Sequence, residues 1–101
     1  MRVRWTPEAQ HDRVAIWDHI EPQNAAAAIR MDLLFSDSIA KLADFPMLGR
    51  PGIITGTREL TPHRSYRLVY EISEDTVWVL AIVHTARQWP PLLIDDRSRS
   101  N

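Results

Sequence analysis

The sequence predicts an α+β fold in which a helical hairpin packs on a small, mainly antiparallel sheet, in the order β-α-α-β-β-β. Three observations lead there. Apolar residues recur at helical spacing from Pro7 to about Phe45. From Gly56 onward the period falls to two, the period of strands. A short alternating segment, Arg2 to Trp5, precedes the first helix. A sheet covered by two helices accommodates all three.

In Arg2–Trp5, Val3 and Trp5 alternate with two arginines, as in a half-buried strand. Thr6-Pro7-Glu8 then opens a helix. Threonine caps it, proline fits the first helical position, and glutamate suits the positive end of the dipole. The apolar stripe is Ala9, Val14, Ile16, Trp17 and Ile20, and Glu21-Pro22 stops the helix near Ile20. Asn24 caps a second, long helix that runs through Ala25 to Ala28 and on to about Phe45. Ile29, Leu33, Ile39, Ala40 and Ala43 form a stripe, and Met31, Leu34, Phe35, Leu42 and Phe45 widen it. Such a helix must pack on two sides. Pro46, Gly49, Pro51 and Gly52 mark a loop.

Strands are expected over Thr57–Thr61 and Ser65–Ile72. In the second, Tyr66, Leu68, Tyr70 and Ile72 face one way, and Arg67, Val69 and Glu71 the other. Ser73-Glu74-Asp75-Thr76 is a turn. Val77 to His84 is almost wholly apolar, as a central strand is. Pro90-Pro91 ends the pattern. Residues 1–91 are therefore expected as a single domain and residues 92–101 as a polar tail.

The 101 residues fit one domain with a modest core. There is no cysteine, which excludes disulfides, thiolate chemistry and cysteine-based zinc sites. His11 and His19 stand too far apart for a helical metal pair, so neither a metal nor another cofactor is expected. No apolar run is long enough to span a membrane, and Met1–Gln10 lacks the apolar stretch of a secretory signal. The expected location is the cytoplasm. The net charge is −1, but it is unevenly placed. Acids outnumber bases in residues 1–45, whereas residues 49–70 carry Arg50, Arg58, Arg64 and Arg67 against Glu59 alone. Guanidinium groups grip phosphate and carboxylate through a rigid fork. That segment reads as an anion-binding or partner-binding face.

Five strings resemble the RelE/ParE toxin superfamily, in matching order and spacing. They are Trp5-Thr6-Pro7-Glu8-Ala9, Phe45-Pro46-Met47-Leu48-Gly49-Arg50, Gly56-Thr57-Arg58-Glu59-Leu60, Tyr66-Arg67-Leu68-Val69-Tyr70 and His84-Thr85-Ala86-Arg87-Gln88-Trp89-Pro90. The resemblance implies the toxin of a type II toxin–antitoxin pair, held in a hetero-oligomer by a ParD-like antitoxin that alone contacts operator DNA. RelE-like members cleave messenger RNA on the ribosome. ParE-like members inhibit DNA gyrase without known catalysis. A degenerate member would serve only in antitoxin binding and operon repression.

RNA cleavage by a 2′-hydroxyl needs a base, an acid and cations for the phosphate. Arg67, His84 and Arg87 are the candidates for a RelE-like site, with Arg67 as the phosphate clamp and His84 as the proton carrier. Against that reading, the chain has a pI of about 6.4 and one lysine, Lys41, where a ribosomal-RNA binder should be strongly basic. The string from His84 to Pro90 is closer to ParE-like members. The leading expectation is therefore a gyrase inhibitor with no catalytic residues. Its target-binding residues are expected to be Arg58, Arg67, His84, Arg87 and Trp89, with the three strand and post-strand arginines sharing one positive face. The excess apolar surface of the second helix nominates Ala28, Met31, Leu34, Phe35 and Leu42 for antitoxin binding.

Overall fold

The computed structural model describes residues 1–90; the polar tail expected at 92–101 lies outside the described residues. The elements are β1 (Arg2–Trp5), α1 (Pro7–Ile20), α2 (Ala25–Lys41), β2 (Arg50–Pro51), β3 (Thr57–His63), β4 (Tyr66–Ser73) and β5 (Thr76–His84). The fold is α+β, as the periodicity predicts. It has one strand more than expected, the two-residue β2 inside what reads as a loop. Arg50 and Pro51 pair with Glu59 and Arg58, and Pro51 lacks the N–H that would let this edge continue.

Both helix starts follow the capping chemistry. Thr6 Oγ1 accepts from the Ala9 amide at 3.1 Å, and Asn24 Oδ1 accepts from the Ala27 amide at 3.0 Å. The second helix ends at Lys41, earlier than the expected Phe45, and turns carry the chain to Pro46. The helical hairpin is clamped by a two-pronged ion pair. Arg13 Nε lies 2.6 Å from Asp32 Oδ1, and its Nη2 lies 2.9 Å from Oδ2. The Asp32 hydrogen bonds hold the Arg13 pKa above its ordinary value, against the opposing effect of burial. The guanidinium also sits 4.9 Å from the centre of the Trp5 ring, which joins β1 to the hairpin.

The sheet runs β1-β5-β4-β3-β2. β1 is parallel to β5, and all other pairs are antiparallel. The core lies between the helices and one sheet face. Phe35, Ile39 and Leu42 from the helical side meet Tyr66, Leu68, Tyr70, Val77, Val79 and Ile82. The Phe35 and Tyr66 rings meet edge to face at 5.5 Å. Val14, which the periodicity places in the apolar stripe of α1, is exposed.

The loop between α2 and β3 is held from below by one hydroxyl. Tyr70 is fully buried; its O–H donates to Pro46 O at 2.7 Å and accepts from the Gly49 amide at 2.9 Å. A Cβ on residue 49 would stand 2.7 Å from the Glu59 carbonyl oxygen and 2.8 Å from Tyr70 Cε1, so only glycine admits this approach. Tyr70→Phe leaves the buried Gly49 amide and the partly buried Pro46 carbonyl without the hydroxyl, a cost of about 1–3 kcal/mol. Gly49→Ala forces a backbone shift on β3 and should cost at least as much. Thermal melts of both variants should fall by several degrees, at about 4–8 °C per kcal/mol for a domain of this size. An unchanged melting temperature for Tyr70→Phe would show that water replaces the hydroxyl and that the loop is not anchored there.

Candidate functional site

The site grows from one irregularity in β5. Val79 pairs with Tyr70 and Ala81 pairs with Val69, so Leu80 is an extra residue. The bulge resets the alternation. Val77 and Val79 face the helices before it, and Ile82 does so after it. His84 follows on the same face, with its ring 5.3 Å from Tyr66. β1 pairs with β5 only as far as Trp5 opposite Val79. Beyond that point α1 replaces a strand as neighbour. The Thr6 amide donates to Val79 O at 3.0 Å, and Asp12 Oδ2 accepts from the Ile82 amide at 3.0 Å.

Two hollows flank this half-open edge. One, of about 450 Å³, is lined by Asp12, Ala81, Val83, Arg87, Gln88 and Trp89 among others. The second, of about 310 Å³, lies against α1 and is lined by Ile16, His19, Tyr66, His84 and Arg87. Asp12, Ile82 and Arg87 belong to both. His84 Nδ1 accepts from the Ala86 amide at 3.0 Å. In the neutral ring this places the proton on Nε2, which is left free to donate. The Trp89 indole N–H is buried and meets no acceptor among the described residues.

The expected target-binding residues separate into two groups. His84, Arg87 and Trp89 come together around the hollows. Arg58 and Arg67 do not join them. Arg58 pairs with Tyr70 across the β3–β4 ladder and shares its face; Arg67, three residues from Tyr70, is on the other. Arg58 Nε donates to Gly49 O at 2.9 Å and Nη2 to Met47 O at 3.2 Å, so this guanidinium holds the loop. Arg67 Nε stands 3.4 Å from Glu59 Oε1, in a pair whose side chains are 20% and 5% exposed. Glu59 Oε2 in turn accepts from the Ile53 amide at 3.1 Å. The single positive face expected from Arg58, Arg67 and Arg87 therefore does not form. The period of two puts the first pair on opposite sides of the sheet.

The same register bears on catalysis. Tyr66 pairs with His84 and Arg67 with Val83, so Arg67 and His84 lie on opposite faces of the sheet. The Arg67, His84, Arg87 trio is not assembled around one point.

The expected antitoxin surface is also revised. Ala28, Phe35 and Leu42 are buried, at 2%, 1% and 0% exposure, and offer nothing to a partner. Met31 and Leu34 are half-buried. The large apolar residues that α2 exposes are Ile29 and Leu33, one turn apart on the outer side. Phe45, Met47, Leu48, Ile53 and Ile54 add a second exposed apolar group in the loop. A helix apolar nearly all round gives no phase from sequence alone, and the contact with Tyr66 and Ile16 fixed it.

Two residues at the site escaped the sequence reading, Asp12 and His19. Both carry a legible signal: Asp12 stands three residues after the buried Ala9 and four before Ile16, on the inward stripe of α1. An acid on an inward stripe calls for a buried donor. His19 stands three residues after Ile16 on the same side.

Comparison with known proteins bears on the fold and the family. The family model described as ParE toxin of type II toxin-antitoxin system, parDE, matches residues 3–89. The Y4kP protein of Sinorhizobium fredii is 38% identical over 93 residues, covering 91% of this chain and 96% of that protein. A chain of the chromosomal ParDE TA system from P. aeruginosa superimposes with a TM-score of 0.74 at 24% identity, over 83% of this chain and 95% of its own. The YoeB/ParE toxin from Agrobacterium tumefaciens gives 0.60 at 20% identity, over 83% and 98%. These likenesses to solved structures speak for the fold, and the family match speaks for more. With its β-α-α-β core, its hairpin-covered sheet and a family match that runs from β1 to Trp89, this chain belongs to the ParE toxin family of type II toxin–antitoxin systems.

Proposed function

We propose that this toxin acts by binding, as an inhibitor of DNA gyrase in the cytoplasm, and that a ParD-like antitoxin neutralises it. One observation carries the choice of binding over RNA cleavage: Arg67 and His84 lie on opposite faces of the sheet. A phosphate clamp and a proton carrier must meet at one phosphate, and these two cannot. The acidic balance of the chain and its single lysine support the same reading, since ribosomal RNA demands a basic surface. The target-binding group is then His84, Arg87 and Trp89, with arginine and tryptophan as typical anchors of a protein interface. Arg58 and Arg67 serve the loop and the sheet instead. Antitoxin binding would cover the exposed Ile29, Leu33 and loop apolar residues, burying at least ~1,000 Å². Operator DNA is reached through the antitoxin only.

Expression of the chain alone, with pulse labelling of new DNA, RNA and protein, tests the target. DNA synthesis should stop first and the damage response should follow. Arrest of translation within minutes, with DNA synthesis continuing, would replace gyrase by the ribosome. His84→Ala tests the mechanism. Toxicity should fall only by the loss of one contact at the target-binding surface, a hydrogen bond or packing, because no proton moves in a binding mechanism. A nuclease would lose on the order of 10²–10⁴ in rate. Colony survival is scored beside the abundance of folded protein, so that a misfolded variant is recognised.

A further inference from the structure

We propose that the hollow between α1 and the end of β5 seats one acidic side chain of the target protein, its carboxylate held by Arg87, His84 and His19. The inference rests on the gyrase-binding reading above and names the chemistry that the target must present to this end of the toxin.

The hollow measures about 310 Å³, room for a whole acidic side chain. Ile16, Tyr66 and Ile82 give it apolar walls, and His19, His84 and Arg87 give it donors. The His84 ring is fixed twice. Its Nδ1 accepts from the Ala86 amide at 3.0 Å, and its face meets Tyr66 edge to face at 5.3 Å. In the neutral ring Nε2–H is then the donor left over. The Arg87 amide donates to the His84 carbonyl at 2.9 Å, which ties the two residues into one turn. The ion pairs among the described residues are Arg13–Asp32 and Arg67–Glu59, so the Arg87 guanidinium has no carboxylate there. His19 is the basic residue of the last turn of α1 and is exposed. Asp12 also lines the hollow but does not neutralise these groups; its Oδ2 accepts from the Ile82 amide at 3.0 Å. Three donors thus surround one hollow without an anion. A guanidinium makes its strongest bonds to a carboxylate, and the methylene stem of an acidic side chain packs on the walls of Ile16 and Ile82.

A row of phosphates fits the same donors less well. Duplex DNA carries one charge per about 1.7 Å of its axis, so neighbouring phosphates would fall on the flanks of the hollow. On one flank, α1 carries Glu8, Asp12 and Asp18, and its Arg13 is engaged by Asp32. On the other, Arg67 lies on the opposite face of the sheet and Arg58 is bonded to loop carbonyls. A lone carboxylate reaches the three donors without meeting these acids, whose like charge turns away a longer anion. The larger hollow shares Ile82 and Arg87 and is walled by Ala81, Val83 and Trp89, which suits an apolar neighbour of the acid.

The test uses the full chain and purified gyrase. Acetate and a short DNA duplex are titrated at constant ionic strength into toxin labelled with ¹⁵N in histidine and arginine, and the side-chain resonances of His19, His84 and Arg87 are followed. Inhibition of DNA supercoiling is measured for wild type, His19→Glu and His19→Gln. Acetate should shift the three sets of resonances saturably, and the duplex should leave them in place. His19→Glu sets a carboxylate in the seat and should raise the inhibitory concentration at least ~10-fold, whereas His19→Gln keeps a donor and should raise it less than ~3-fold. Equal melting temperatures verify the fold; if His19→Glu melts lower, Arg87→Glu replaces it with the same expectation. An inhibitory concentration unchanged by His19→Glu overturns the proposal and leaves gyrase binding standing. Larger shifts with the duplex than with acetate overturn it in favour of nucleic acid. The chain has acids of its own in Asp95 and Asp96, outside the described residues. Acetate shifts that appear only after Asp95→Asn and Asp96→Asn assign the seat to those acids and overturn it as well. A wild-type chain that leaves supercoiling intact overturns both the proposal and the gyrase reading.

Discussion

The extra residue Leu80 in β5 sets the terms for the functional end of this molecule. A strand with strict alternation would have carried Ala81 and Val83 toward the helices and turned Ile82 and His84 away. The bulge reverses this. Ile82 then joins the core, His84 stands against Tyr66, and the Ile82 amide turns to the outer edge where Asp12 meets it. β1 stops at the same level, opposite Val79, so the bulge also marks where the sheet passes from a paired edge to one bordered by α1. The two hollows, the position of Arg87 and the half-open edge all follow from that change of phase.

The arginines of the second half divide by role because the sheet has two faces. Arg58, on the helix side, donates to the carbonyls of Gly49 and Met47, beside the hydroxyl of Tyr70 that binds Pro46 and Gly49. Arg67, on the far side, is held against the buried Glu59, which also binds the amide of Ile53. The segment from Pro46 to Ile53 is thus fastened from both faces of the sheet. A charge count over residues 49–70 treats these guanidinium groups as a free positive surface. In the fold, Arg58 and Arg67, two of the four, are engaged with carbonyls or a carboxylate, and the arginine at the hollows is Arg87, from outside that segment.

This division of the cationic groups supports the proposed binding mechanism. Phosphate chemistry needs several cations and a proton carrier converging on one point. Protein recognition needs a few anchors on a rigid surface with an apolar surround. The end formed by His84, Arg87 and Trp89 has the second character, and α2 and the loop expose a separate set of large apolar residues.

The sequence by itself determined the local structure. Thr6 and Asn24 cap the helices as their side-chain oxygens require, Glu21-Pro22 separates them, and the period of two lays out β3, β4 and β5. These signals are local, since each depends on residues a few positions apart. The family was also legible, because its strings run along the whole domain. Tertiary structure decided what depends on register and phase. The nearly all-round apolar character of α2 could not say that Ala28, Phe35 and Leu42 face inward while Ile29 and Leu33 face out. Nothing in Arg58 or Arg67 announces opposite faces until the β3–β4 register is fixed. Asp12 lies seventy residues from the amide it holds. A bulge in an apolar strand leaves no mark in the sequence, because either alternation of Val77–Val83 is equally apolar; only packing against α1 and pairing with β4 select the one that builds the site.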